Sequence, residues 1–233
     1  MAELSDKDLD ALRRFDTPTI CNALELVVPE RRALGFTTQT LVCPFPDRPP
    51  MVGYARTALI KAMQPSRLSG REQREQRLEY YRYVESGASP RIVVIQDTDS
   101  RPGFGCFWGE VQTAVHKALG CAGLITDGGV RDLDAIAPDF QVLCGRITPS
   151  HAWVHAIATG CEVDVFGMVV CHDDLIHADR HGAVVIPKDV AREVPRAAEL
   201  CGRREEPILK IARSPDFTLD KLERAMAEAA EIH

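Results

Sequence analysis

No run of about 18 consecutive apolar residues occurs anywhere in the 233 residues, so no segment reads as a membrane-spanning helix. The first fifteen residues, MAELSDKDLDALRRF, lack the apolar block of a secretory signal. The expected compartment is therefore the cytoplasm. The eight cysteines (21, 43, 106, 121, 144, 161, 171 and 201) include no CxxC pair, which excludes the usual zinc and dithiol spacings. In a reducing compartment they read as free thiols, mostly small buried hydrophobes. A basic excess is also missing: 28 Lys and Arg face 34 Asp and Glu, for a net charge of −6. Nucleic-acid interfaces depend on positive charge, so neither DNA nor RNA is expected as a partner. No internal repeat or low-complexity linker divides the chain.

What remains is an ordinary globular composition, 45% hydrophobic and 27% charged with a mean hydropathy of −0.13. A chain of this length buries roughly 70–75% of its unfolded surface. Ser5-Asp6 before LDALRRF predicts an N-cap and a short helix. Asp16-Thr17-Pro18 predicts a second, with proline where its missing N–H costs little. Residues 38–43 and 53–63 read as strands. Residues 71–85 place opposite charges at helical spacings, Arg71 with Glu75 and Glu79 with Arg82, which predicts a solvated helix and not a basic arm for nucleic acid. From residue 91 the pattern is strand (91–97), glycine-rich turn, helix (about 109–119), strand (122–127). That is a βαβ unit with parallel strands. A third strand is expected at 140–144 and shorter ones at 162–170, 174–178 and 183–187. The C-terminus reads as helical from about 189, with breaks near Pro207 and Pro215.

Ligands of open α/β sheets collect at the carboxyl ends of parallel strands. Two such ends can be named: Asp97 through Glu110, and Asp127-Gly128-Gly129-Val130-Arg131-Asp132. Glycines admit close backbone approach, Arg131 offers a planar fork for a carboxylate, and Asp132 offers a hard oxygen for Mg²⁺ or Mn²⁺. That combination suits a 2-oxo acid. On spacing alone, Arg131 and Asp132 capping a short helix at 132–136 is an equal reading.

The window GEVQTAVHKALGCAGLITDGGVRDLDAI (109–136) resembles the RraA-like superfamily, which includes the 4-hydroxy-4-methyl-2-oxoglutarate/4-carboxy-4-hydroxy-2-oxoadipate aldolases. The shared pattern is an acidic residue, twenty residues, then Arg-Asp: here Glu110 and Arg131-Asp132. The segments 16–24 and 174–187 resemble that family's first helix and its C-terminal β hairpin. The resemblance implies a single α/β domain over 1–233, core about 14–215. Its β-rich core is flanked by helices, of the swivelling β/β/α type, and ends in a helical tail. It implies a divalent-metal-dependent (class II) pyruvate aldolase, a lyase cleaving a 4-hydroxy-2-oxo acid through pyruvate enolate, with oxaloacetate decarboxylation as a second activity. Asp132 would be the direct protein ligand of Mg²⁺ or Mn²⁺, and Arg131 would hold the pyruvyl carboxylate and oxo group. Glu110 would orient a metal-bound water, and the backbone at Val111-Gln112 would help bind the carboxylate. The members form homotrimers or homohexamers, in which Glu205 or Glu206 would be the glutamate a neighbouring subunit contributes. The charged helix at 71–85 looks like an insertion relative to these aldolases.

A different function class stays beside this one. Some superfamily members are regulatory binding proteins, inhibitors of RNase E. The intact Arg131-Asp132 favours the enzyme, because members without the acidic residue lose the metal ligand. Methyl transfer is discounted for want of a glycine-rich cofactor loop followed by an acidic ribose ligand. Other candidates have simpler readings. His172, His177 and His181 read as surface loop histidines. His151 and His155 sit on an expected helix without a third ligand, and Lys117 reads as a solvated helix lysine. Gly103-Phe104-Gly105 is a plain turn near the site, and Cys106 and Cys121 are core thiols.

Overall fold

The computed structural model describes residues 4–233. The two expected N-caps open the chain. Helix α1 (Asp6–Arg13) starts at Ser5, whose N–H donates to the Asp8 carboxylate at 2.8 Å while its hydroxyl accepts from the Asp8 N–H. Helix α2 (Thr17–Val27) is capped by Asp16, which accepts from the Thr19 N–H at 2.9 Å, with Pro18 in the first turn. There follow β1 (Met51–Lys61), α3 (Gly70–Glu85), β2 (Arg91–Asp97), β3 (Cys106–Trp108), α4 (Glu110–Ala118), β4 (Cys121–Val130) and β5 (Gln141–Ile147). Next come β6 (His155–Thr159), β7 (Val163–Val165), β8 (Met168–Val170), β9 (Leu175–Asp179), β10 (Gly182–Ile186), α5 (Val194–Ala212) and α6 (Leu219–Ala230).

The main sheet runs β10-β9-β1-β2-β4-β3, with β5 also on β4 and β6 on β1. The expected βαβ unit is present: β2 and β4 pair in parallel, Ile92 opposite Gly123 through Ile95 opposite Thr126. Strand residues alternate between faces. Ile92 and Val94 pack with Val163, Val165, Met168 and Val170 of the β7–β8 hairpin. Val93 and Ile95 pack on the other side with Tyr80 and Val84 of α3 and with Trp108 and Phe140. Leu9, Leu12, Ile20, Leu24 and Val194 of α1, α2 and α5 cover Val52, Leu175, Val184 and Ile186 of β1, β9 and β10. The mixed α/β architecture with a β-rich core, flanking helices and a helical tail is thus the one expected.

Three local expectations are corrected. Residues 38–43 do not form a strand: Phe36 and Val42 make single bridges, to Val184 and Cys144. Pro44 and Pro46 follow at once and cannot extend the ladder. Helix α5 runs unbroken through Pro207. The lost N–H costs one intrahelical bond, and the helix is held along its length by α2 and α6. His177 is a fully buried β9 residue and not a loop residue. Its Nε2 donates to the Phe15 carbonyl and its Nδ1 accepts from the Thr17 hydroxyl, both at 3.0 Å, and burial pulls its pKa down to about 4.

Candidate active site

Two strand ends build the site. β3 lies parallel against the end of β4, Cys106 opposite Gly129 and Trp108 opposite Val130. The chain leaves β3 through Gly109 into α4 and leaves β4 through Arg131 and Asp132. The Arg131 N–H donates to the Trp108 carbonyl at 3.1 Å. Residues 23 positions apart are therefore neighbours.

Asp132 adopts a left-handed backbone, φ 54°, which aspartate tolerates better than most residues. Its side chain makes no cap bond to the short 3₁₀ turn Leu133–Ala135. It turns back to α4, where Oδ2 accepts from the Glu110 N–H at 3.3 Å and lies 3.7 Å from Arg131 Nε. The helix-capping reading of Asp132 thus fails on geometry. Gly109 makes the approach possible: a Cβ there would stand 2.5 Å from Asp132 Oδ2 and 3.2 Å from Arg131 Cγ.

A cavity of about 470 Å³ opens beside this junction. Of the expected residues, Val111, Gln112 and Arg131 line it. Glu110 and Asp132 are exposed at its margin, tied to the lining through Gly109 and Arg131. Glu205 and Glu206 are elsewhere, exposed on α5. Glu206 faces a separate groove between α5 and α6, beside Arg203 and Lys210.

Two further elements line the cavity, and the sequence reading had assigned neither to the site. One is α3. Its outer face is solvated as expected, with an Arg71–Glu75 ion pair at 2.8 Å. Its inner face docks on α4 through two tyrosines. The Tyr81 hydroxyl donates to Gln112 Oε1 at 3.0 Å. Tyr80 is bonded to His116 Nε2 at 2.7 Å. His116 Nδ1 lies 2.6 Å from the Gln112 carbonyl, so Nδ1 carries the proton and Nε2 accepts from Tyr80. Burial holds His116 neutral, with its pKa drawn down to about 4. Tyr80, Tyr81 and Tyr83, clustered on an otherwise charged helix, are the signal in the sequence. The other element is the segment 151–156. His151 and His155 occupy a loop and the start of β6, not the expected helix. Each imidazole faces a nearby carbonyl, Ala152 and Trp153 respectively, at 2.8 Å.

The lining carries Arg77 and Arg131 and, among the described residues, no carboxylate. The first turn of α4 adds backbone N–H groups that have no partner within the helix and the positive end of its dipole. Both features put positive charge on the walls of the cavity. No group of three His, Cys, Asp or Glu suited to a metal occurs among the described residues, so a closed structural site of the zinc kind is not formed. A hydrated hard cation needs less: Mg²⁺ keeps several waters and takes one or two carboxylates. The exposed Asp132 carboxylate, seated in the space Gly109 leaves, fits that demand.

The remaining candidates have structural roles. Cys106 touches the cavity, but its thiol donates to the Thr148 carbonyl at 2.8 Å and burial raises its pKa to about 11. Burial takes Cys121 to about 12. Lys117 is exposed and reaches the Asp139 carbonyl at 3.4 Å. The Gly103 turn is held by Asp97, which accepts from the Gly103 N–H at 2.7 Å. His172 bonds Tyr83 and Asp173, and His181 bonds Asp179. Asp127 opens the second strand-end segment and is given no role by the sequence. It is buried within β4 where the register with β5 shifts, accepts from the Asp97 N–H at 2.7 Å, and is raised to about 7 chiefly by burial. No helix among the described residues is long and apolar enough to cross a membrane.

Comparison with known proteins agrees with this architecture. A protein from Pseudomonas syringae pv. tomato superposes with a TM-score of 0.72 at 22% identity, covering 97% of this chain and 96% of that one. RraAS2 of Streptomyces coelicolor, described as an unusual member of the RNase ES inhibitor RraA protein family, superposes at 0.67 with 22% identity, covering 88% and 97%. At these identities the likeness shows the fold alone. Protein DlpA of Legionella pneumophila is 26% identical over 143 residues, 60% of this chain. The match takes in 23% of that relative, so it spans about a quarter of DlpA's length. The profile of the RraA-like family, Aldolase/RraA, matches residues 8–185, and the chain belongs to that family.

Proposed function

We propose that the protein is a divalent-metal-dependent pyruvate aldolase that cleaves a 4-hydroxy-2-oxo acid between C3 and C4, with oxaloacetate decarboxylation as a second activity. The observation that carries this reading is the convergence of Arg131, Asp132 and the start of α4 at one cavity. The family supports it at a coarser level, since it holds both aldolases and non-catalytic inhibitors.

Arg131 binds the pyruvyl carboxylate and oxo oxygen with its planar fork. The N–H groups of Val111 and Gln112 at the helix start bind the same carboxylate. Asp132 would hold Mg²⁺ or Mn²⁺, which supplies positive charge where the 2-oxo oxygen becomes negative. Glu110, exposed at the margin, holds a water that takes the proton of the C4 hydroxyl. As that proton leaves, the C4 oxygen becomes a carbonyl oxygen and the C3–C4 bond breaks. Its electron pair moves toward the 2-oxo oxygen, so pyruvate departs as its enolate and is protonated at C3. Oxaloacetate reaches the same enolate by losing carbon dioxide. The assembly belongs to the proposal too: a homotrimer or homohexamer would let Glu205 or Glu206 of a neighbouring copy complete the site.

The test is a screen of 2-oxo acids with Mg²⁺ or Mn²⁺, following pyruvate release, with and without exhaustive chelation. Release that chelation abolishes and either ion restores supports the reading. Full activity under chelation, or no release from any 2-oxo acid, overturns it.

A further inference from the structure

Helix α3 supplies one wall of the cavity, and its inner face can be read residue by residue. Gln73, Gln76, Arg77 and Tyr80 all line the cavity and fall at the i, i+3, i+4 and i+7 spacing of a single helical face. One of these four is charged. Arg71, on the outer face, is paired within the helix with Glu75 at 2.8 Å. Arg77 has no such partner: the residues three and four positions away are Gln73, Arg74, Tyr80 and Tyr81. The residues sharing the cavity with it include no carboxylate among those described.

The helix that carries Arg77 is held in place. Tyr80 and Val84 are buried in the core, and the Tyr80–His116 and Tyr81–Gln112 bonds join α3 to α4, whose start also lines the cavity. Arg77 and Arg131 thus present two guanidinium groups from different elements to one space. A cavity of about 470 Å³ lies within the range of small-molecule sites and is larger than a three-carbon pyruvyl head fills. Arg131 accounts for one anionic end of a ligand. The second cation calls for a second anion.

We propose that Arg77 is a specificity-determining residue of this site, binding a carboxylate at the end of the substrate remote from its 2-oxo acid head. This rests on the proposed function, and it names what that reading leaves open, the far end of the substrate. The guanidinium suits the task because it stays charged at all working pH values and meets a carboxylate with two parallel N–H donors.

The experiment compares two acids of equal length, 2-oxoglutarate and 2-oxopentanoate, which differ in a terminal carboxylate against a terminal methyl. Their binding to the full-length protein in Mg²⁺ is measured by calorimetry. Exchange of the C3 protons of pyruvate in heavy water is followed in parallel, because it needs the head group alone. The wild-type protein should prefer 2-oxoglutarate. Arg77→Gln should weaken 2-oxoglutarate by about 10- to 100-fold, the usual worth of a charge-assisted hydrogen bond, and leave 2-oxopentanoate binding and pyruvate exchange unchanged. Arg77→Lys should restore part of the loss. Equal wild-type affinity for the two acids overturns the role of Arg77, and so does an Arg77→Gln variant that weakens both acids by the same factor. In either case intact pyruvate exchange leaves the aldolase reading standing. A wild-type protein that neither exchanges pyruvate protons nor binds any 2-oxo acid overturns both.

Discussion

Gly109 and Asp132 are fitted to one another: the space where a Cβ on Gly109 would stand is closed off 2.5 Å away by the Asp132 carboxylate oxygen. The Gly109 backbone itself is extended, φ −170°, a conformation open to any residue. The glycine is therefore required for what its side chain would displace, and not for its backbone. Gly109→Ala should leave the melting temperature near wild type, and should cut metal-dependent turnover by on the order of 10²-fold, as small misplacements of catalytic groups do. Turnover equal to wild type would mean that Asp132 does not act from the position it holds here.

Arg131→Lys keeps the charge and loses the planar fork. If two parallel hydrogen bonds hold the substrate carboxylate, kcat/KM should fall by about 10- to 100-fold, the worth of one charge-assisted bond. Steady-state kinetics on the best substrate of the screen provides the check. An unchanged kcat/KM would leave Arg131 a structural residue at the end of β4.

Glu110 and Asp132 are assigned different tasks, and two rates separate them. Asp132→Ala should remove aldol cleavage and oxaloacetate decarboxylation together, since both pass through the enolate. Glu110→Gln should lower cleavage by about 10²–10⁴, the usual contribution of a positioned base, and spare decarboxylation, which has no C4 hydroxyl proton to remove. Both rates are to be measured at saturating metal. Equal losses in Glu110→Gln would assign Glu110 to carboxylate or metal binding instead.

His116 and His177 are buried and neutral, each lowered from the ordinary 6.5 to about 4 by burial. A histidine whose folded pKa lies below its unfolded one binds more protons when unfolded, so stability rises with pH across that window. Their contribution is complete above about pH 6.5 and is lost as pH falls toward 4, on the order of 3 kcal/mol apiece at the low end. Thermal melts from pH 7.5 to 4.5 should show a steep acid limb, which His177→Asn flattens in part. A melting temperature constant over that range would contradict the neutral, buried assignment.

The parts of the fold that could be read ahead of the structure share a physical cause. Ser5 and Asp16 act on N–H groups three residues away, so their caps are local facts. The apolar runs at 91–97 and 122–127 are too continuous for a half-exposed element, so a buried parallel pair followed. Residues 38–43 misled because a strand also needs an edge to join. His151 and His155 misled because periodicity cannot report that a segment is pinned by backbone carbonyls at 2.8 Å. His177 looked like a loop residue because its partners, Phe15 and Thr17, lie 162 and 160 positions away.

The candidate site divides in the same way. The order of residues along the chain is enough to determine that Glu110 opens a helix and that Arg131-Asp132 closes a buried strand. It determines too that the types at those positions suit an anion and a hard cation, because these depend on side-chain chemistry and short-range periodicity. Tertiary structure alone decided that β3 lies beside the end of β4, bringing Gly109 against Asp132 across 22 intervening residues. It alone turned the charged helix α3 from a solvated appendage into a cavity wall, with Tyr80 and Tyr81 bonded to α4 and Arg77 lining the same cavity as Arg131. The reason is that the outward charges of α3 dominate its sequence, while its position is set by a few inward side chains whose partners belong to another element.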